Sequence, residues 1–160
     1  MKEKSDIRIE KPVVSDSREI RDMLYEFSLR NFLLARSIVE IMENIREFVV
    51  VRTGSGEICA CCALTLWWED SAEIRSLAVR ESFRGRDLGR RLIDTCIEEA
   101  RGIGVKRIFT LTYIPEYFQK LGFTVEDKES LPRKIWSICT NCPKFPDCDE
   151  IALVKEVVYE

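Results

Sequence analysis

The chain of 160 residues predicts an α/β sandwich built on one mixed sheet. Three observations carry this. Strand-like apolar runs recur six to seven times between turn signals. Apolar residues repeat at helical spacing behind Asp16 and again from Leu88. The second of these helices lies between the strand-like runs "AEIRSLAV" and "KRIFTLT", as in a strand–helix–strand crossover.

The elements follow in order. "IRIEKPVV" alternates and reads as a first strand ending near Pro12. Asp16 and Glu19 resemble a capping box for a helix whose apolar face is Ile20, Met23, Leu24 and Phe27. A second helix is expected over about Leu33 to Ile45, with Leu34, Ile38, Ile41, Met42 and Ile45 on its stripe. "EFVVVRTGSGEICACCALTLWW" reads as two strands joined by a turn at Gly54-Ser55-Gly56. "AEIRSLAV" follows as a strand, then a helix from Leu88 that Gly102 and Gly104 end. "KRIFTLT" is a strand and "PEYFQKLGF" a short helix with Pro115 in its first turn and Gly122 as its stop. "GFTVED" and "EIALVKEVV" complete the strands. No repeat, low-complexity tract or linker interrupts them, so residues 1–160 read as one domain with a cysteine-containing loop at about 136–149.

Composition narrows the chemistry. A net charge of −3 gives no global attraction to nucleic acid or to an anionic membrane. The N-terminal "MKEKSDIRIEKP" has no apolar core, so it reads as neither a signal peptide nor a span. Seven cysteines without a secretory signal point to reduced thiols and a cytoplasmic protein. Histidine is absent, so acid–base work falls to carboxylates, Tyr, Lys, Cys or water.

The densest basic cluster is "RGRDLGRR", Arg84 to Arg91, between an apolar strand and a helix start. Unpaired N–H groups and the helix dipole favour an anion there, and glycine allows close backbone approach. A pyrophosphate fits. The loop is not a Walker loop, since no Gly-Lys-Ser/Thr follows, and Gly85-x-x-x-Gly89 is not the dinucleotide fingerprint.

At these residues the sequence resembles the GNAT N-acetyltransferases, whose signature is Arg/Gln-x-x-Gly-x-Gly/Ala. Arg84, Leu88 and Gly89 sit at signature positions, and "YFQKLGF" resembles the family's second block, "FYEKLGF". The resemblance covers about the whole chain and is strongest over 73–123. It implies the GNAT fold, a mixed and mostly antiparallel central sheet of six to seven strands flanked by about four helices, with acetyl-CoA as cosubstrate. The backbone of Leu77, Ala78 and Val79 would pair with the pantetheine arm. The backbone of Arg84, Gly85, Arg86, Asp87, Leu88 and Gly89, with Arg90, would cradle the pyrophosphate. Asp87 departs from the pattern where glycine is preferred. Its N–H is expected to face the phosphates and its carboxylate to face away.

Within the superfamily, "LLARSIVEIMENIREFVV", "AEIRSLAV", "IFTLTYIPEYFQKLGF" and "CTNCPKFPDCDEIALVK" resemble the short amino-acid acetyltransferases that make N-acetylglutamate for arginine biosynthesis. That likeness implies Arg36, with Ser37, in a grip on a substrate carboxylate, a task suited to a planar guanidinium. Lys134 or Arg133 and Arg75 are candidates for a second grip. Histone acetyltransferases carry a glutamate base at the position of Glu73. The tyrosine that protonates the leaving thiolate in many relatives falls where Phe118 stands. Tyr117, one residue earlier and about 100° around a helix, cannot simply inherit that role, although it, Tyr113 or solvent could act. The alternatives are a GNAT acting on another amino acid, amine or protein N-terminus, or an acyl-CoA sensor without turnover.

Cys139, Cys142 and Cys148 have spacing compatible with zinc, but only one close pair is present, so reduced packing or redox-sensitive thiols are favoured over metal. Alternation puts Cys59 and Cys61 on one face of their strand and Cys62 on the other, as small buried hydrophobes, with Cys96 on a helix core stripe. Trp67 and Trp68 read as a hydrophobic strand end, favoured over one in the core and one lining an acceptor cleft. The partners expected are a small amino acid, no nucleic acid and no membrane, and a homodimer is compatible with this reading.

Overall fold

A computed structural model describes residues 6–30, 32–132 and 149–159. Seven strands form a sheet in the order β1-β2-β3-β4-β5-β7-β6. They are β1 (Arg8–Glu10), β2 (Phe48–Arg52), β3 (Ile58–Trp68), β4 (Ser71–Val79), β5 (Arg107–Thr112), β6 (Thr124–Glu126) and β7 (Ile151–Glu156). The α-helices among the described residues are α1 (Ser17–Leu29), α2 (Ile38–Glu43), α3 (Leu88–Gly102) and α4 (Pro115–Lys120). β4 and β5 run parallel, as a helical crossover requires, whereas β1–β2, β2–β3, β5–β7 and β6–β7 are antiparallel. This is the mixed, mostly antiparallel sheet expected.

The chain divides into two compact units, Met1–Leu64 with Ser76–Cys96, and Thr65–Arg75 with Ile97–Glu160. In the first, Ile20, Met23 and Leu24 of α1 and Ile41 of α2 pack on Phe48, Val50, Cys61 and Ala63, all buried. Cys61 belongs to this layer. Cys62, next along β3, instead accepts from the Cys96 thiol of α3 at 3.9 Å between sulfurs, so the expected alternation holds. In the second unit Trp67, Phe109, Leu131, Ala152 and Val154 form a buried cluster.

Two local expectations change. Asp16 does not cap α1 through its side chain. Its carboxylate accepts from the Val13 N–H at 2.8 Å and pairs with Arg52 at 2.8 Å, while Glu19 accepts from the Ile58 N–H at 2.8 Å. Both carboxylates thus satisfy donors outside the helix, and Asp16 closes the turn that precedes it through the Val13 N–H. α2 is also shorter than expected. Ser37 is its N-cap, accepting from the Glu40 N–H at 3.1 Å, and Leu33 to Arg36 precede the helix. A serine hydroxyl that satisfies an orphan N–H outweighs the weak helical preference of two leucines. No helix among the described residues is long and apolar enough to cross a membrane.

Candidate active site

The first unit carries the glycine–arginine loop. β4 runs through a single 3-10 turn, Glu81–Phe83, to Arg84 and then to α3. Gly85 has φ +79° and Asp87 φ +62°. A Cβ placed on Gly85 would meet nothing within 4 Å, so the loop backbone is open. The first helical bond is donated by the Arg91 N–H to the Asp87 carbonyl at 3.1 Å. The N–H groups of Leu88, Gly89 and Arg90 therefore lie ahead of the ladder, at the positive end of the helix dipole. Leu88 and Gly89 are buried, while Arg84, Gly85, Arg86, Asp87 and Arg90 are exposed. The Arg86 guanidinium stacks on the Phe83 ring at 5.0 Å, and Arg90 lies 3.9 Å from Asp94.

Asp87 acquires a physical explanation here. The position needs a left-handed backbone, which glycine adopts freely and which Asp and Asn tolerate better than other L residues. Glycine is thus preferred at that place for its backbone, and an aspartate is a conformationally acceptable substitute.

β4 holds a second left-handed residue, Ser76, at φ +57°. A left-handed residue within a strand breaks the regular pleat and turns backbone groups out of the ladder. Ser76 is held from two sides. Its carbonyl accepts from the Cys61 thiol at 3.4 Å, and its hydroxyl accepts from Arg36 Nη1 at 3.3 Å. No glycine marks this position, so the sequence offered no signal for it. Leu77 and Val79, half-buried, and buried Ala78 follow.

Arg36 is buried, with 3% of its side chain exposed. Its Nε donates to Glu40 at 2.9 Å, its Nη2 lies 4.0 Å from Glu47, and its guanidinium covers the Phe48 ring at 5.0 Å. Beside it, Ser37 caps α2. Arg36 is an ion-paired hub that precedes the helix.

The buried thiols have raised pKa values. Loss of hydration pushes Cys61 up to about 12 and raises Cys59 as well. The hydrogen bond with Cys96, then burial, raises Cys62 well above the usual range.

In the second unit Glu73 is only 7% exposed and Trp67 6%. Trp67 Nε1 donates to Glu73 Oε1 at 3.0 Å. Glu73 is thus a buried, hydrogen-bonded carboxylate. Glu73 pairs in register with Phe109 of β5, and Thr110 Oγ1 donates to the Ile74 carbonyl at 2.9 Å, tying β4 to β5. Arg75 is half-buried. Trp68 is 65% exposed and lines a cavity of about 450 Å³ with Ser71, Arg107 and Phe109. On α4, Phe118 is buried edge-on between Tyr117 and Phe123, while Tyr117 is half-buried. Lys134, Cys139, Cys142 and Cys148 lie outside the described residues. Among the described residues, no group of three or more Cys, Asp or Glu is placed to hold a metal ion.

The open loop at the mouth of α3, with left-handed Gly85 and Asp87, is a backbone built to take an anion. The model of the acetyltransferase (GNAT) family matches residues 15–123, and the chain belongs to that family, with its fold. It is 39% identical to an uncharacterised N-acetyltransferase of Chlorobaculum tepidum over 89% of this chain and 91% of that one. It is 34% identical to the amino-acid acetyltransferase of Mycobacterium tuberculosis, over 58% of this chain and 54% of the relative. The N-acetylglutamate synthase of Neisseria gonorrhoeae, solved with coenzyme A and N-acetyl-glutamate, superposes with a TM-score of 0.86 at 26% identity. That match covers 98% of this chain and 36% of the other. The chain thus spans nearly all of the Chlorobaculum protein, about half of the mycobacterial one and about a third of the Neisseria one.

Proposed function

We propose that this chain moves acetyl from acetyl-CoA to the α-amino group of an amino acid, first of all L-glutamate, as a cytoplasmic step of arginine biosynthesis. The observation that carries the cosubstrate is the loop with left-handed Gly85 and Asp87, open to solvent and leading into α3. Its backbone from Arg84 to Gly89, with Arg90, fits a diphosphate, and Leu77, Ala78 and Val79 offer strand backbone to a pantetheine arm. An amino acid as acceptor draws support from the mycobacterial relative's name, and glutamate from the Neisseria neighbour with its bound N-acetyl-glutamate.

In the reaction the acceptor nitrogen bonds to the thioester carbonyl carbon and the carbon–sulfur bond breaks. The electron pair leaves with sulfur as a thiolate. The amine gives up a proton, for which Glu73 is the base we assign. Burial together with one donated hydrogen bond gives Glu73 a defined orientation for that task. Tyr117 is the described residue we assign to return a proton to sulfur. Arg36, Ser37, Arg75 and Lys134 are the proposed acceptor-binding group.

One observation favours a second reading. Glu40 and Glu47 already sit at 2.9 and 4.0 Å from the Arg36 guanidinium, which lowers its pull on an anionic acceptor. A GNAT acting on a less acidic amino acid, an amine or a protein N-terminus needs no such pull. Thiol release from acetyl-CoA across an amino-acid panel separates the two. Glutamate turning over fastest supports the first reading, and leucine or lysine matching it supports the second.

A further inference from the structure

Glu73 and Trp67 stand across the β3–β4 hairpin from each other, both buried, and are joined by the 3.0 Å bond from Nε1 to Oε1. Trp67 packs with Phe109, Leu131, Ala152 and Val154, so the indole brings a polar N–H into an apolar cluster. A buried carboxylate needs a donor, and an indole N–H can only donate. It cannot take the proton from Glu73 or supply an ionic charge. Charged side chains that share this face by strand alternation and register are Arg75 on β4, Arg107 on β5, Glu126 on β6 and Glu156 on β7. Arg107 is engaged by Glu156 at 3.5 Å and Glu126 at 3.7 Å. Tyr113 and Tyr117 follow on the β5–α4 stretch of the same unit.

We propose that Trp67 is a positioning residue for Glu73, its indole N–H holding the carboxylate in one orientation and favouring the ionised form that accepts the acceptor's proton. This rests on Glu73 as the base, so the test separates the two assignments. A donor to the charged form of a carboxylate lowers its pKa by about one unit, worth about tenfold in the ionisation equilibrium. Trp67→Phe keeps a ring in the cluster and removes the N–H. The acid limb of its kcat/KM profile should move up by about one pH unit, with the rate below the limb falling about tenfold and KM for acetyl-CoA unchanged. Glu73→Gln should erase that limb.

If Glu73→Gln erases the limb while Trp67→Phe leaves it in place, the base stands and the positioning role is overturned. If Glu73→Gln keeps the limb, the base assignment falls and takes the positioning role with it. A measurement on the unmutated chain guards against a poorly folded Trp67→Phe. The chain has three tryptophans, so the indole N–H signal of Trp67 can be followed by 15N NMR from about pH 4 to 9. It should titrate along the same curve as the acid limb and stay still in Glu73→Gln. A Trp67 signal that does not respond to pH in the unmutated chain overturns the proposal.

Discussion

Substitutions at Asp87 separate backbone conformation from charge in the loop. Asp87 is exposed, has φ +62°, and its carbonyl starts the α3 ladder. A left-handed residue with a Cβ costs about 1–2 kcal/mol, part of which Asp and Asn offset by local hydrogen bonding. Valine lacks that offset and adds β-branching. Asp87→Val should therefore lose about 2 kcal/mol, a fall of about 6 °C in Tm for a chain of this size. Asp87→Asn keeps the left-handed tolerance and should change stability by less than about 0.5 kcal/mol.

The charge is a separate and smaller effect. One carboxylate about 7 Å from two diphosphate charges in water costs about 0.6 kcal/mol per pair. Screening at about 0.15 M ionic strength cuts this by more than half, leaving about 0.5 kcal/mol in all. Asp87→Asn and Asp87→Gly should both bind acetyl-CoA about twofold tighter. Asp87→Val should bind about tenfold weaker, because the N–H groups ahead of Arg91 lose their alignment. Thermal melts and acetyl-CoA calorimetry read both effects. An Asp87→Val protein as stable and as tight-binding as the unmutated chain would refute the left-handed requirement.

Two further outcomes test other parts of the molecule. Arg36→Lys keeps the charge but not the fork that reaches both Glu40 and Ser76. It should raise the acceptor KM by about tenfold, and Arg36→Ala should also cost about 2 kcal/mol, since Glu40 is partly exposed and its loss of a partner is cushioned by water. Acceptor kinetics beside urea unfolding would read this, and unchanged KM in Arg36→Lys would remove Arg36 from acceptor binding. The second concerns Cys61, whose thiol burial raises from 9.0 to about 12. Below about pH 9 both folded and unfolded chains keep this proton, and between about 9 and 12 only the folded chain does. Its contribution is therefore full at low pH and is lost as pH rises between about 9 and 12, at about 1.4 kcal/mol per pH unit. Cys61→Ala should show a correspondingly shallower alkaline loss of stability, and an identical slope would contradict the buried neutral thiol.

Much of the fold was legible because its signals are local. The Gly54-Ser55-Gly56 turn lies between two apolar strands, and Gly56 has φ +92°. α3 begins at Leu88, where the apolar stripe starts, and the parallel β4–β5 pair follows from a helix between two strands. What was misread depended on partners distant in sequence. Asp16 turns to Arg52 and Glu19 to Ile58, contacts 36 and 39 residues away, so the helix start could not be settled from its own neighbourhood. Ser76 carries a left-handed backbone without a glycine to announce it, and its support comes from Arg36, 40 residues earlier. The burial of Glu73 depends on Trp67 across the hairpin and on a cluster drawn from β5 and β7. The loop's place between a strand and a helix start was readable from its arginines and glycines, but the left-handed backbone of Asp87 is an angle that only the structure reveals.

The most direct test of the proposed activity is the initial rate of thiol release from acetyl-CoA with L-glutamate as acceptor, set beside leucine and lysine. Glutamate should turn over at least about tenfold faster than either, a margin equal to about 1.4 kcal/mol of transition-state discrimination. Equal rates for all three, or no release with any, would contradict glutamate acetylation by this chain.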